Sequence, residues 1–222
     1  MIYYDIHTHR QAWHPDVSAI ISVDIRKPLE WTGSLDNPYY SVGVHPWHIG
    51  SINPEAIHGL FAKVCRLASH PQVKAIGETG LDKNTTKTAD DFHFQQEIFI
   101  SHARLAEEVK KPLIIHCVKA WNDILHILQS IKPTVPWIIH GFRGKRLLAV
   151  QLLDSGLYLS FGIHYNIYSL KTAWEKHRLL LETDDTNMDI CDIYHQAAND
   201  LEVSVKKLTG EIAACYQRLM IN

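Results

Sequence analysis

The sequence predicts an α/β fold, a single-domain (β/α)8 TIM barrel with reduced outer helices over its first three strands. Three observations carry this expectation. Eight short β-rich runs are spread along the 222 residues. Most are separated by stretches whose apolar residues recur at helical spacing, and strands alternating with helices imply a mostly parallel sheet. No linker, repeat or low-complexity tract divides the chain, so residues 1–222 read as one domain. Eight strands in about 200–250 residues fit a closed barrel better than the alternative, a doubly wound open sheet.

Composition narrows the class of function. Hydrophobic residues make up 46% and charged ones 21%, which suits a chain able to bury a core. The net charge of −2 argues against holding nucleic acid by a broad basic field, so any polyanion must be gripped locally, by a patch or a metal. The opening MIYYDIHTHR lacks a basic segment followed by an apolar one, and no stretch reaches the ~18 apolar residues of a membrane span. A cytoplasmic protein without membrane contact is expected. Cys65, Cys117, Cys191 and Cys215 lie far apart and read as free thiols.

The first strand is Ile2–His7, and His7-Thr8-His9 stands at its carboxyl end. Fifteen histidines produce about one H-x-H by chance, so position gives the pair its weight. Alternation turns His7 and His9 to one side, at the end where a parallel barrel builds its site. The interval Thr8 to Val17 is too short for a crossover helix before the second strand, Ala19–Asp24. Arg26–Pro38, with Pro28, Gly33 and Pro38, reads as loop before the third strand, Tyr40–His45.

A helix over Pro54–Ser69 leads to the fourth strand, Val73–Glu78. A glutamate closing an apolar strand is costly unless a cation satisfies it, and Gly77 and Gly80 let the backbone turn beside it. The Asp91–Lys110 helix precedes strand five, Pro112–His116, and the Ala120–Ile131 helix precedes strand six, Trp137–His140. Each of these strands ends in histidine, which would present two imidazoles to one crevice. The Lys145–Ser155 helix, strand seven at Leu157–Phe161, strand eight at Leu179–Asp184 and a last helix over Ser204–Met220 complete the chain.

If the barrel closes, strand eight lies beside strand one and Asp184 beside His7 and His9. His7, His9, Glu78, His116, His140 and Asp184 then converge on one mouth. Six N/O ligands suit two divalent cations ~3.5–4 Å apart, with Glu78 the natural bridge. Four imidazoles favour zinc or manganese over magnesium, though ligand type leaves the identity open. Such a site clamps a phosphoryl or acyl oxygen and holds a water of lowered pKa; Glu78 and Asp184 are the expected catalytic carboxylates, with Asp184 orienting that water and taking its proton.

The ordered set D-I-H-T-H, G-V-H-P (Gly43–Pro46), A-I-G-E-T-G-L-D, P-L-I-I-H, H-G-F-R-G and L-L-E-T-D resembles the TatD family of metal-dependent hydrolases and deoxyribonucleases, from residue 5 to about 185. The resemblance implies a TIM barrel with a divalent metal pair and phosphodiester hydrolysis, with DNA the usual substrate. It also implies that His7, His9, Glu78 and Asp184 hold one metal, that Glu78, His116 and His140 hold the other, and that His45 contacts substrate. Departures fall on the substrate wall. Val118 stands where family members usually carry arginine, with Lys119 next to it, and Arg143 stands where a small hydroxyl residue is usual. Arg143, with Lys119, is expected to take over the grip on phosphate.

Other residues invite plainer readings. Cys117 neighbours His116 on a strand, so it faces the opposite side and reads as core. His93, His102 and His126 read as solvated helix residues, and Trp47 as either a base-stacking platform or a lid. Two rival functions stay open: a metal-dependent hydrolase of a small ester or amide, and a metal-binding scaffold that has lost catalysis.

Overall fold

The computed structural model describes residues 1–10, 14–28, 38–49 and 52–220. Eight parallel strands form one sheet in sequence order: β1 (Tyr3–Thr8), β2 (Val17–Asp24), β3 (Tyr39–Gly43), β4 (Val73–Asp82), β5 (Leu113–Val118), β6 (Trp137–Ile139), β7 (Tyr158–Phe161) and β8 (Leu179–Leu181). The ends of β8 and β1 meet through a parallel bridge between Thr8 and Asp184, where Asp184 N donates to His7 O at 3.0 Å and His9 N to Asp184 O at 3.0 Å. These bonds close the expected barrel.

Among the described residues seven α-helices pack on it: α1 (Pro54–Ala68), α2 (Ala89–Val109), α3 (Trp121–Ile131), α4 (Arg146–Asp154), α5 (Ile167–Glu175), α6 (Ile190–Asp200) and α7 (Val205–Met220). Among the described residues no helix precedes β3, so the outer layer is thin where expected. The expected loop over Arg26–Pro38 lies for the most part outside the described residues. Helices α5 and α6 were not expected from periodicity. Each starts on a side-chain cap: Asn166 Oδ1 accepts from the Tyr168 and Ser169 amides, and Asp189 from Cys191 N.

Two apolar layers divide the core. The outer one lies between strands and helices and takes in Cys117, as alternation requires. The inner one fills the barrel with Ile6, Ile20, Ala75, Ile114, Ile138 and Leu180, and Cys215, Tyr216 and Leu219 of α7 pack against it. The final helix therefore seals the amino-terminal floor and leaves the carboxyl end as the barrel's mouth.

Register decides what reaches that mouth. His116 and His140 each lie two positions beyond an inward residue, Ile114 of β5 and Ile138 of β6, so simple alternation delivers the imidazoles. Strands β1 and β4 each carry one extra residue, between Asp5 and Thr8 and between Ile76 and Thr79. A bulge of this kind re-aims a side chain, and it brings His7 and Glu78 inward although Ile6 and Ala75 already point there. Glycine is essential to the second bulge. Gly77 has φ +129°, and a β-carbon there would sit 2.4 Å from Ile114 O; Gly80 has φ +150°, with His116 O at 1.9 Å.

Candidate metal centre

Glu78 stands at the centre of the mouth, 6% exposed, with imidazoles on both of its oxygens. Its Oε2 lies 3.3 Å from His7 Nε2 and 3.5 Å from His9 Nε2. Its Oε1 lies 2.9 Å from His45 Nε2, 3.2 Å from His116 Nδ1 and 2.8 Å from His140 Nε2. Asp184 Oδ1 completes the first set, 3.7 Å from His7 Nε2 and 3.6 Å from His9 Nε2. All six expected ligands are thus brought together, and His45, expected at the substrate wall, reaches Glu78 as well.

The arrangement fits a divalent cation. Donors held about 2.0–2.1 Å from one ion stand roughly 2.8–3.4 Å from each other, close to most of these separations. Both ring nitrogens of His7 and of His140, and Oε2 of Glu182, are buried without an aligned hydrogen bond. An unmade bond of this kind costs about 1–3 kcal/mol, so several within one cage fit a site completed by an ion, to which each ring, once neutral, can offer one lone pair. Compatible donor sets are His7, His9 and Asp184; His7, Glu78 and His140; His45, Glu78 and His116; and His140, Glu182 and Asp184.

Charge is shared across the cage. Burial works against ionising Glu78, but His140, His7 and His116 together outweigh it and hold the carboxyl well below its usual range. For His140, burial is overcome by Glu78 and Glu182, and the imidazole is pushed well above its usual value. The hydrogen bond to Glu78 raises His9. Protons on imidazoles thus supply the countercharge that cations would supply when bound.

Hydrogen bonds sort the histidines by role. Trp47 N donates to His45 Nδ1 at 3.1 Å, which leaves the proton of the neutral ring on Nε2, and Nε2 donates to Glu78 Oε1. Burial lowers the His45 pKa and keeps the ring neutral. His45 therefore offers a donor in place of a lone pair. His116 Nε2 donates to Asp82 Oδ2 at 3.2 Å, which leaves Nδ1 as the lone pair facing the cage.

Four contributors were not anticipated. Asp82, at the end of β4, orients His116. Glu182 is fully buried, accepts from Gly141 N at 2.6 Å and lies 3.4 Å from His140 Nδ1. Asp5 accepts from Thr183 N at 3.0 Å and Thr183 Oγ1 at 2.7 Å, tying β1 to the end of β8; burial raises its carboxyl to about 7. His102 is a correction: it is fully buried, not solvated. Its Nε2 accepts from Val44 N at 3.0 Å and its Nδ1 lies 2.7 Å from Ile98 O, so it fixes the backbone just before His45. Burial lowers its pKa to about 4 and keeps it neutral for that task. An Asp at the start of D-I-H-T-H and carboxylates inside G-L-D and E-T-D were visible signals; His102 gave none beyond its residue type.

Lys119 and Arg143 lie in the loops after β5 and β6. Both are exposed and make no hydrogen bond or ion pair among the described residues.

A family model, TatD related DNase, matches residues 7–206. The uncharacterized metal-dependent hydrolase YcfH of Escherichia coli (strain K12) is 39% identical over 159 residues, covering 68% of this chain and 57% of its own length. The 3'-5' ssDNA/RNA exonuclease TatD of Klebsiella pneumoniae (strain 342) is 32% identical over 154 residues, covering 65% of this chain and 56% of its own. The chain thus spans somewhat over half the length of these curated relatives. A crystal structure of a TatD family hydrolase from Entamoeba histolytica matches with a TM-score of 0.78 over 99% of this chain and 98% of that one; at 17% identity the likeness is one of fold. No helix among the described residues is long and apolar enough to cross a membrane.

Proposed function

This chain belongs to the family of TatD-related DNases, and from that membership we propose that it is a single-domain, two-metal phosphodiesterase acting on nucleic acid. The observation that carries the reading is the division of ligands by the two oxygens of Glu78. His7 and His9 face Oε2 together with Asp184, and His116 and His140 face Oε1. In this reading His7, His9, Glu78 and Asp184 hold one cation, Glu78, His116 and His140 hold a second, and zinc or manganese suits the imidazoles best. Bound there, divalent cations supply Lewis acidity toward a phosphoryl oxygen and lower the pKa of a water.

The chain's own groups do the rest. Asp184, a quarter exposed at the edge of the cage, orients the attacking water and takes its proton. The Nε2 proton of His45 is available to a substrate oxygen. A phosphate beyond the cage meets Arg143 and the start of α4, where Lys145 makes no side-chain cap and no acidic residue occupies the first turn. Cations at a helix amino terminus oppose its dipole, and a bound anion would reconcile the two.

The decisive experiment is a hydrolysis panel on the purified protein, covering single- and double-stranded DNA, RNA, nucleotides, simple phosphodiesters, carboxylic esters and amides, with and without chelator. Turnover of a phosphodiester that stops on chelation is expected. Turnover confined to carboxylic esters or amides, or none after metal loading, would reject the reading.

Arg143→Ala is expected to raise KM for a phosphodiester about tenfold or more with metal content intact, because a guanidinium can hold phosphate oxygens bidentately. Steady-state kinetics at low and high ionic strength check this. A deficit that disappears with salt would reduce Arg143 to long-range attraction.

A further inference from the structure

Trp47 is 59% exposed, yet its ring is pinned. Its Nε1 donates to Asp82 Oδ2 at 2.8 Å, and the same oxygen accepts from His116 Nε2. Asp82 is itself buried; its Oδ1 accepts from Asn84 N at 2.8 Å, and its own amide donates to Gln95 Oε1 at 2.9 Å. The indole sits in a single 3-10 turn, Pro46–His48, at the end of β3. It meets His45 edge-on at 4.9 Å between ring centroids and His116 at 5.9 Å. A scattered exposed aromatic is ordinary, but here a buried carboxylate holds a large apolar ring in one orientation beside two histidines that touch Glu78. Fixing the ring in advance removes the ordering cost that a partner would otherwise meet on binding.

We infer that Trp47 is a stacking platform for a nucleobase of the substrate, beside the cage. This deepens the phosphodiesterase reading and rests on it. An indole face accepts any base, so the platform selects base-bearing strands over other phosphodiesters without reading sequence. The bond through Asp82 makes the same side chain a neighbour of His116, so two roles must be separated: stacking by the ring, and orientation of His116 by the N–H.

Two variants separate them. Trp47→Phe keeps an aromatic face and removes the N–H; Trp47→Leu removes both and keeps apolar bulk. Binding is read by fluorescence polarisation on the metal-loaded protein with phosphorothioate-linked strands, so that no strand is cut: oligothymidylate and an all-abasic deoxyribose chain of equal length and charge. The wild type is expected to prefer the base-bearing strand by about tenfold, Trp47→Phe to keep most of that ratio, and Trp47→Leu to lose it. An unchanged ratio in Trp47→Leu, or an equal loss in both variants, would overturn the proposal, the second outcome leaving Trp47 as a positioning residue for Asp82. The measurement needs no turnover. A metal-loaded wild type that hydrolyses no phosphodiester would sink the functional reading alone and leave the binding ratio to decide the platform.

Discussion

Asp184→Asn is expected to lower turnover by about 10³-fold while leaving a folded barrel. The fold survives for a backbone reason. Residue 184 closes β8 onto β1 through its own amide and carbonyl, which the substitution keeps. Its φ is +54°, in the left-handed region that asparagine tolerates better than other residues with a β-carbon. The side chain keeps its size and one oxygen for His7 and His9, at 3.7 Å and 3.6 Å in the native chain. What is lost is the ability to accept a proton, and a positioned general base is worth about 10²–10⁴-fold. Turnover numbers for metal-loaded protein, set beside a melt and a metal assay, test this. Activity within tenfold of wild type would remove Asp184 from the proton's path.

Strands β5 and β6 were fully legible because an apolar run, strict alternation and a terminal histidine all agree there. Strands β1 and β4 were legible only in part. The sequence marks His7 and Glu78 as strand-end ligands, but an unbroken alternation starting from Ile6 and Ala75 would turn both outward. The extra residue in each strand corrects the aim, and only the glycines around Glu78 hint at it. Strand β3 stops at Gly43, so His45 is the cap of a 3-10 turn, which is why its Nδ1 is spent on Trp47 N.

Helices α5 and α6 escaped a search for periodicity for different reasons. IYSLKTAWE is only nine residues long, and ICDIYHQAAND mixes polar residues through its apolar face. Their caps, Asn166 and Asp189, were the better signal. Glu182 and Asp82 repeat the logic applied to Glu78, a carboxylate ending an apolar strand, and could have been found by it. His102 could not. A histidine on α2 looks solvated until the partner on another element, Val44 N, is in place.

Glu78→Gln is expected to dismantle the cage as a binder of cations without unfolding it. A glutamine fits the same space and keeps one oxygen, so one set of imidazoles retains a partner; the other set meets an amide NH2 that cannot bind a cation. If Glu78 is a ligand, as proposed, its loss should weaken metal binding by at least ~100-fold, since even outer contacts of metal sites are worth 10–100-fold. The metal-free variant tolerates the change. Glu78 and Glu182 together push the buried His140 toward its charged form, and without Glu78 that charge still has the buried Glu182 beside it, 3.4 Å from Nδ1, so the neutral amide leaves no buried charge unpaired. The contrast therefore lies in the response to metal. At a concentration 100 times the wild-type dissociation constant, binding stabilises the native chain by about 2.7 kcal/mol, and a 100-fold weaker site by roughly 0.4 kcal/mol. For a domain of this size the first figure raises the melting temperature by about 5–10 °C and the second by about 1 °C. Elemental analysis of bound metal and melts with and without added zinc or manganese read both effects. A variant that binds the wild-type complement of metal and keeps the full rise in melting temperature would show that the five imidazoles are not organised around this carboxylate, and the two-metal reading would fall with it.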